Sequence, residues 1–229
     1  MTGSTVLGVD LGGTSVTVGA VVGGSVQRVT GRRISSQAAE EVVLTEVIGS
    51  IAELFDDSVQ GIGCGVPSVV DVESGVVYDV ENIPSWREVP LRAALEERFG
   101  VPCYVNNDAN AYVVGEHVFG KGRGFRHLVG MTLGTGLGVG VIMNGGLCAG
   151  ANCGTGELGV MPYRGATVEA FASGQFFPRE CGVSGEVAYE RARAGDQRAL
   201  GWFESYGGEL GDAINIVLYA FDPEAIVLG

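Results

Sequence analysis

Positive charge is scarce in this chain. Only 14 lysines and arginines stand against 27 acidic side chains, which leaves a formal net charge of −13. A surface of that sign repels phosphate backbones and argues against non-specific binding to DNA or RNA. A polyphosphate ligand would need local amides and a metal ion to overcome the field. Long apolar runs are lacking as well. No segment reaches the roughly 20 residues that a membrane-spanning helix needs, and no export signal is read ahead of Val6. The five cysteines, Cys64, Cys103, Cys148, Cys153 and Cys181, are odd in number and scattered. That usage fits reduced thiols and a cytoplasmic location better than a disulfide framework. Cys148 and Cys153 are close enough to suggest a metal clip, but no second Cys/His pair follows at a suitable spacing, and no zinc is expected. Histidine is rarer still. His117 and His127 lie in no motif and leave Cys–His nucleophilic catalysis without support. A Walker loop with its Gly-Lys-Ser/Thr is also missing, as is a convincing dinucleotide fingerprint.

What the chain does have is apolar sequence and glycine. Of its 229 residues, 46% are hydrophobic and 18% charged, with 39 glycines. That composition buries a core and argues against disorder. The stretch "VDLGGTSVTVGAVVGG" from Val9 to Gly24 alternates apolar residues around a glycine-rich tip, the pattern of a hairpin. "MTLGTGLGVGVIMNGG" from Met131 to Gly146 has the same shape, with Leu11 matching Leu133, Gly12 matching Gly134, Val18 matching Gly140 and Gly24 matching Gly146. A duplicated unit follows from the pair.

Between the two, "SVQRVTGRRI" reads as a third strand. A helix follows, with Val43, Val47, Ile51 and Leu54 at three-and-four spacing and Ser36 as its expected cap. "VQGIGCGVP" is a buried strand, "VPLRAALEERFG" a helix closed by Gly100, "VPCYVNND" a strand, and "DANAYVVGEHVFG" a helix beginning at its end. The last long helix places Phe203, Tyr206, Leu210, Ile214, Val217 and Phe221 on one face, and "PEAIVLG" is a strand. The order predicts a mixed α/β sheet with an antiparallel hairpin edge. The boundary is expected in the loop near Gly120–Arg126, giving domains 1–120 and 121–229.

Glycine at a hairpin tip lets backbone amides approach a phosphate, and Thr14 and Thr135 add hydroxyls. A single such turn is more often a plain turn, and it is the repetition that favours a ligand. Asp10 ends the first strand, where a carboxylate can hold the water shell of Mg²⁺. Asp108 lies at a strand-to-helix junction. It is either a helix cap or, with Asn106, Asn107 and Asn110 around it, part of a site for several hydroxyls, where it takes a proton from an attacking hydroxyl. Glu157 and Glu169 are either surface residues or, with Asn82, receivers of sugar hydroxyls.

"GVDLGGTS", "GCGVPSVVD", "NIPSW", "VNNDANA", "TLGTGLGVGVIMNG", "GANCGTGELG", "VEAFASG" and "AINIVLYAFDPEAIVLG" occur in order along nearly the whole chain. In this it resembles the ROK family of sugar kinases and related repressors. The resemblance implies an actin/hexokinase-type fold, two ribonuclease-H-like domains with a cleft between them. It implies ATP-dependent phosphorylation of a hexose, at C6, with Mg²⁺. Asp108 matches the catalytic base. Asn82, Asn107, Glu157 and Glu169 match sugar contacts, and Gly65, Val66 and Pro67 a loop beside the sugar. Gly12, Gly13, Thr14, Gly134, Thr135 and Gly136 match nucleotide phosphate loops, and Asp10 the acidic residue near Mg²⁺. The expected partners are hexose and ATP, with neither nucleic acid nor membrane, and the expected assembly is a homodimer.

Three departures stand out. Val160 replaces a histidine sugar ligand, "MPYRGATVEA" replaces a zinc-binding cysteine cluster, and Ser15 replaces a lysine. The family also continues beyond the position of Gly229 into an adenosine loop, so a missing C-terminal part is expected. The family's repressors carry a winged helix ahead of the first phosphate loop, where this chain has a few residues. Kinase is therefore preferred to repressor, with a non-catalytic sugar-sensing or regulatory protein as the alternative. A phosphotransferase acting on acetate or a polyol is a more distant option.

Overall fold

The computed structural model describes residues 4–80, 82–151 and 153–229. Most of the segment ahead of Val6, read above as free of an export signal, lies outside them, as does Asn152 of the "GANCGTGELG" motif. The chain divides into two compact units, Met1–Ala111 with Ala149–Gly154, and Tyr112–Cys148 with Thr155–Gly229. The division runs through a helix rather than the loop at 120–126. Val113, just past the division, packs with Leu128 and Ile142 of the second unit, while Cys153 belongs to the core of the first. Burial of these side chains, not the polarity of the loop, decides where the chain changes sides.

The first unit is built on a five-stranded sheet. β1 (Thr5–Leu11) buries every second residue, Leu7, Val9 and Leu11 among them, as its alternation demands. β2 (Ser15–Val22) and β3 (Ser25–Arg33) follow antiparallel. β4 (Val59–Val66) lies parallel to β1 on its other side, and the sheet order is completed to β3-β2-β1-β4-β8 by a later strand, β8 (Cys103–Asn107). A small sheet of β5 (Val69–Asp71), β6 (Val76–Tyr78) and β7 (Glu88–Val89) lies between β4 and β8 in sequence. Leu7, Leu11, Val16, Ile51, Ile62, Trp86, Leu91 and Leu95 form one core.

Helix α1 (Glu40–Ala52) starts at Ala39, not Ser36, and no side chain caps it. Residues 36–38 form a turn ahead of it, so Ser36 stands too far upstream to reach the free amides. Glu40 and Glu41 complement the helix dipole instead. α2 (Leu91–Phe99) ends as expected on Gly100, which adopts the left-handed conformation at φ +68° that a side chain resists. α3 (Asp108–Val118) begins directly at the end of β8.

The second unit repeats the first sheet's opening. β9 (Leu128–Leu133), β10 (Leu137–Met143) and β11 (Gly146–Leu147) form the meander, and β14 (Ala225–Leu228) lies parallel to β9, as β4 does to β1. The repeat carries one correction. Leu11 pairs with Val16, but Leu133 pairs with Leu137, so the second tip is one residue shorter. Val16 therefore corresponds to Leu137 and Val18 to Val139, both inward-facing, rather than Val18 to Gly140. A one-residue slip moves every side chain to the other face, and burial sets the register. The next turns confirm it. Gly23 and Gly24 have φ +58° and +80°, and Asn144 and Gly145 have +55° and +80°, the two positive angles of a type I′ hairpin.

The rest of this unit comprises a hairpin of β12 (Pro162–Tyr163) and β13 (Ala166–Thr167), α4 (Val168–Ala172), a π-helical turn at Phe177–Cys181, α5 (Gly185–Arg193) and α6 (Gln197–Phe221). The apolar face of α6 serves two clusters. Leu210, Ile214, Val217 and Phe221 pack on the sheet, while Phe203 and Tyr206 pack with Phe176 and Phe177. Among the described residues no helix is long and apolar enough to cross a membrane.

Candidate active site

In the first unit the parallel strands β1, β4 and β8 align Asp10, Gly65 and Asn106 in one row near their C-terminal ends. Asp108 stands two residues beyond Asn106, at the start of α3. Gly65 makes this possible. A Cβ there would lie 3.4 Å from the Ala111 side chain and 3.5 Å from the Asp108 backbone, so its absence lets the first turn of α3 lie close over β4. Gly65 and Val66 are the last residues of β4, not a loop, and the Val66 side chain is buried. Only their backbones and Pro67 remain to shape a ligand's surroundings.

The helix cap is made by Asn107. Its Oδ1 accepts from the amides of Ala109 at 2.9 Å and Asn110 at 3.3 Å, and its Nδ2 donates to the Ser68 carbonyl at 3.3 Å. Behind it, Asn106 Oδ1 accepts from the Asn107 amide at 2.8 Å and from Asn110 Nδ2 at 3.1 Å, and Cys153 closes the group with weak bonds to both asparagines. Three of the four polar residues of "NNDAN" are thus occupied in building the junction. Asp108 accepts from the adjacent Ala109 amide, at 2.7 Å, and its side chain reaches solvent. Desolvation at this crowded junction raises its pKa; the Ala109 amide opposes the rise and the Asp10 charge adds to it.

The first hairpin tip is closed by Gly12 N donating to the Ser15 carbonyl at 2.8 Å, with Thr14 exposed. Gly13 has a further reason to be glycine, because a Cβ there would fall 2.4 Å from Asn82 Cβ. Asn82 is seated directly on the tip.

In the second unit the tip is closed by Gly134 N donating to the Gly136 carbonyl at 3.1 Å. Here Glu169 takes the place of Asn82. A Cβ on Gly136 would lie 2.7 Å from Glu169 Oε2, which accepts from the Leu137 amide at 3.3 Å. The stretch carrying Glu157 is laid along β10. Gly156, at φ +93°, sits where a Cβ would meet the Val139 carbonyl at 2.0 Å, and Gly159 accepts the Glu169 amide at 2.9 Å. Glu157 is exposed on this stretch. An open depression of about 660 Å³ is lined by Asp71, Tyr78 and Cys153, and none of the residues expected to bind sugar, phosphate or Mg²⁺ lines it.

Val160 is exposed. In place of a cysteine cluster, residues 162–167 form the β12–β13 hairpin, pinned to α6. Arg164 pairs with Glu209 at 2.6 Å and Asp212 at 3.4 Å, and the Tyr163 hydroxyl donates to the same two carboxylates. The Asp212 bond is the main reason the Tyr163 pKa is pushed up to about 12. Sequence reasoning missed this clamp, the capping role of Asn107, and Ser173, which is fully buried. Ser173 had one legible signal, a polar residue closing the apolar run "VEAFA" just before a glycine.

A family model described as the ROK family matches residues 6–229. A glucokinase from Thermotoga maritima is 33% identical, with 97% of this chain and 80% of the relative covered. A xylose repressor from Bacillus spizizenii is 30% identical over 73% of this chain and 47% of its own length. Among solved structures, a ROK family glucokinase from Streptomyces griseus in complex with glucose and AMPPNP superposes with a TM-score of 0.85 at 28% identity, covering 98% of this chain and 82% of that one. The actin/hexokinase-type fold implied by the motifs is borne out by these likenesses.

Proposed function

The chain belongs to the ROK family, and from that premise we propose that it is an ATP-dependent hexose kinase. What carries the reading is Asp108. It stands at the end of a parallel strand with its capping duty taken over by Asn107, and desolvation raises its carboxyl pKa from the ordinary aspartate value. A base whose pKa lies closer to the working pH makes the better proton acceptor. Asn82 and Glu169, each seated on a glycine-tipped hairpin, and Glu157 bind the hydroxyls of the sugar. Asp108 accepts the proton of the C6 hydroxyl as that oxygen attacks the γ-phosphorus, the positioning chemistry of phosphoryl transfer. Gly12 and Gly134 have little or nothing near the Cβ position, which suits backbone approach to phosphate oxygens. Asp10, exposed at its strand end, offers the hard oxygen that a Mg²⁺ water shell requires. Bound with ATP, that ion would neutralise phosphate charge.

The likeness to a xylose repressor supports a second reading, a sugar-sensing regulator without catalysis. ADP release from MgATP separates the two, measured on adding glucose, mannose, fructose or an N-acetylated hexose in turn. Release with at least one sugar, lost by about a hundredfold or more in Asp108→Asn, is the expected result. Hexose binding without ADP release from the parent protein would favour the regulator.

A further inference from the structure

The second hairpin is held from outside by one short helix. Glu169 Oε2 accepts from the Leu137 amide at 3.3 Å and lies against Gly136. One turn on, Ser173 Oγ donates to the Thr135 carbonyl at 3.1 Å, and the next amide, Gly174 N, donates to the Gly134 carbonyl at 2.8 Å. Residues 134 to 137 are therefore each gripped by α4 or its C-terminal cap. Ser173 is completely buried, so its hydroxyl has been desolvated to donate to the Thr135 carbonyl and to accept from the Gln175 amide at 3.2 Å. Gly174 approaches so closely that a Cβ there would meet the Gly134 carbonyl oxygen at 2.7 Å.

A carboxylate accepts through both oxygens. A sugar hydroxyl on Glu169 Oε1 and the Leu137 amide on Oε2 would be joined through one rigid planar group. We propose that α4 couples hexose to nucleotide, with Glu169 bridging the sugar and the base of the second phosphate hairpin and Ser173 a positioning residue that holds the tip. The inference rests on the hexose-kinase reading above. Glu169 is only half-buried. A sugar hydroxyl bound to it would fix the carboxylate that holds the Leu137 amide, and the nucleotide would then meet a hairpin held at its base as well as at its tip. Linkage makes the effect reciprocal.

Calorimetry tests this with a non-hydrolysable ATP analogue and Mg²⁺, with and without the hexose that supports turnover. In the parent protein the hexose should tighten the analogue about tenfold, and the analogue the hexose by the same factor. Ser173→Ala should leave hexose affinity alone unchanged, weaken the analogue about tenfold and abolish the mutual tightening. Should that variant fail to fold, a Glu169 pair decides. Glu169→Gln keeps an acceptor for Leu137 and should lose hexose affinity only, whereas Glu169→Ala should lose both. Independent binding of hexose and analogue in the parent, or undiminished coupling in Ser173→Ala, overturns the coupling role. A parent protein that binds no hexose and releases no ADP overturns the kinase reading itself, a separate outcome.

Discussion

Replacing Gly13 by alanine would place a methyl group where Asn82 now sits. The new carbon would lie 2.4 Å from Asn82 Cβ, 2.8 Å from Cγ and 3.0 Å from Nδ2. Ordinary contact begins near 3.4 Å, so one partner must retreat by about 1 Å. The tip is tied by Gly12 N to the Ser15 carbonyl and by Ile34 N to the Thr14 carbonyl. The backbone beside Asn82 is anchored by the buried Ile83, whose amide donates to the Val80 carbonyl. Rotation about χ1 cannot clear Asn82 Cβ, which its own backbone positions, so the exposed stretch carrying Asn82 should shift and take the side chain with it. Stability should fall by about 1 kcal/mol, the low end for overpacking, which is roughly 2–4 °C in a thermal melt for a chain of this size. A binding group displaced by about 1 Å can lower efficiency by up to about a hundredfold, so kcat/KM for the hexose should drop by about ten- to a hundredfold, chiefly through KM. Gly8→Ala is the control, since nothing lies within 4 Å of its Cβ position. Steady-state ADP release and melting of both variants form the assay. Kinetics of Gly13→Ala within twofold of the parent would remove Asn82 from the sugar site, and a melt more than about 10 °C lower would show that the hairpin, not Asn82, had given way.

Asp108→Asn should be inactive yet no less stable than the parent at pH 7, and equal or higher in melting temperature. The sign follows from the raised pKa: folding disfavours the ionised carboxyl, so its unfavourable contribution is present above the folded pKa and vanishes below the unfolded one. For the same reason, kcat/KM in the parent should fall off on the acid side at a higher pH than an unperturbed aspartate near 3.8 would give; a limb at or below that value refutes the assignment. Arg164 holds φ at +47° and pairs with two carboxylates from a half-exposed position. Arg164→Ala should therefore destabilise by about 1 kcal/mol, and Arg164→Gly by less, since glycine relieves the backbone strain. Thermal melts that rank the two variants in the opposite order would refute the strain argument.

Local chemistry made much of this protein legible from sequence. Alternation fixed which residues of β1 and β2 face inward, Gly100 closed α2 through its left-handed backbone, and the doubled glycine tip announced a repeated sheet. Each depends on residues within a few positions of one another. The site motifs were legible as a set, because glycines and carboxylates at strand ends occur in an order that a family shares.

Tertiary packing decided the rest. The one-residue slip between the two hairpins is invisible in a glycine-rich run that aligns without a gap, and appears only when burial chooses which face of β10 points inward. Asn107 and Asp108 are both competent caps, and the choice fell to Asn107, whose amide group is also held at Ser68, 39 positions away. Gly13 and Gly136 read as openings for phosphate. In the folded chain they are seats for Asn82 and Glu169, residues 69 and 33 positions away. Sequence carries the repertoire of each residue, and contacts between residues distant along the chain select which part of it is used.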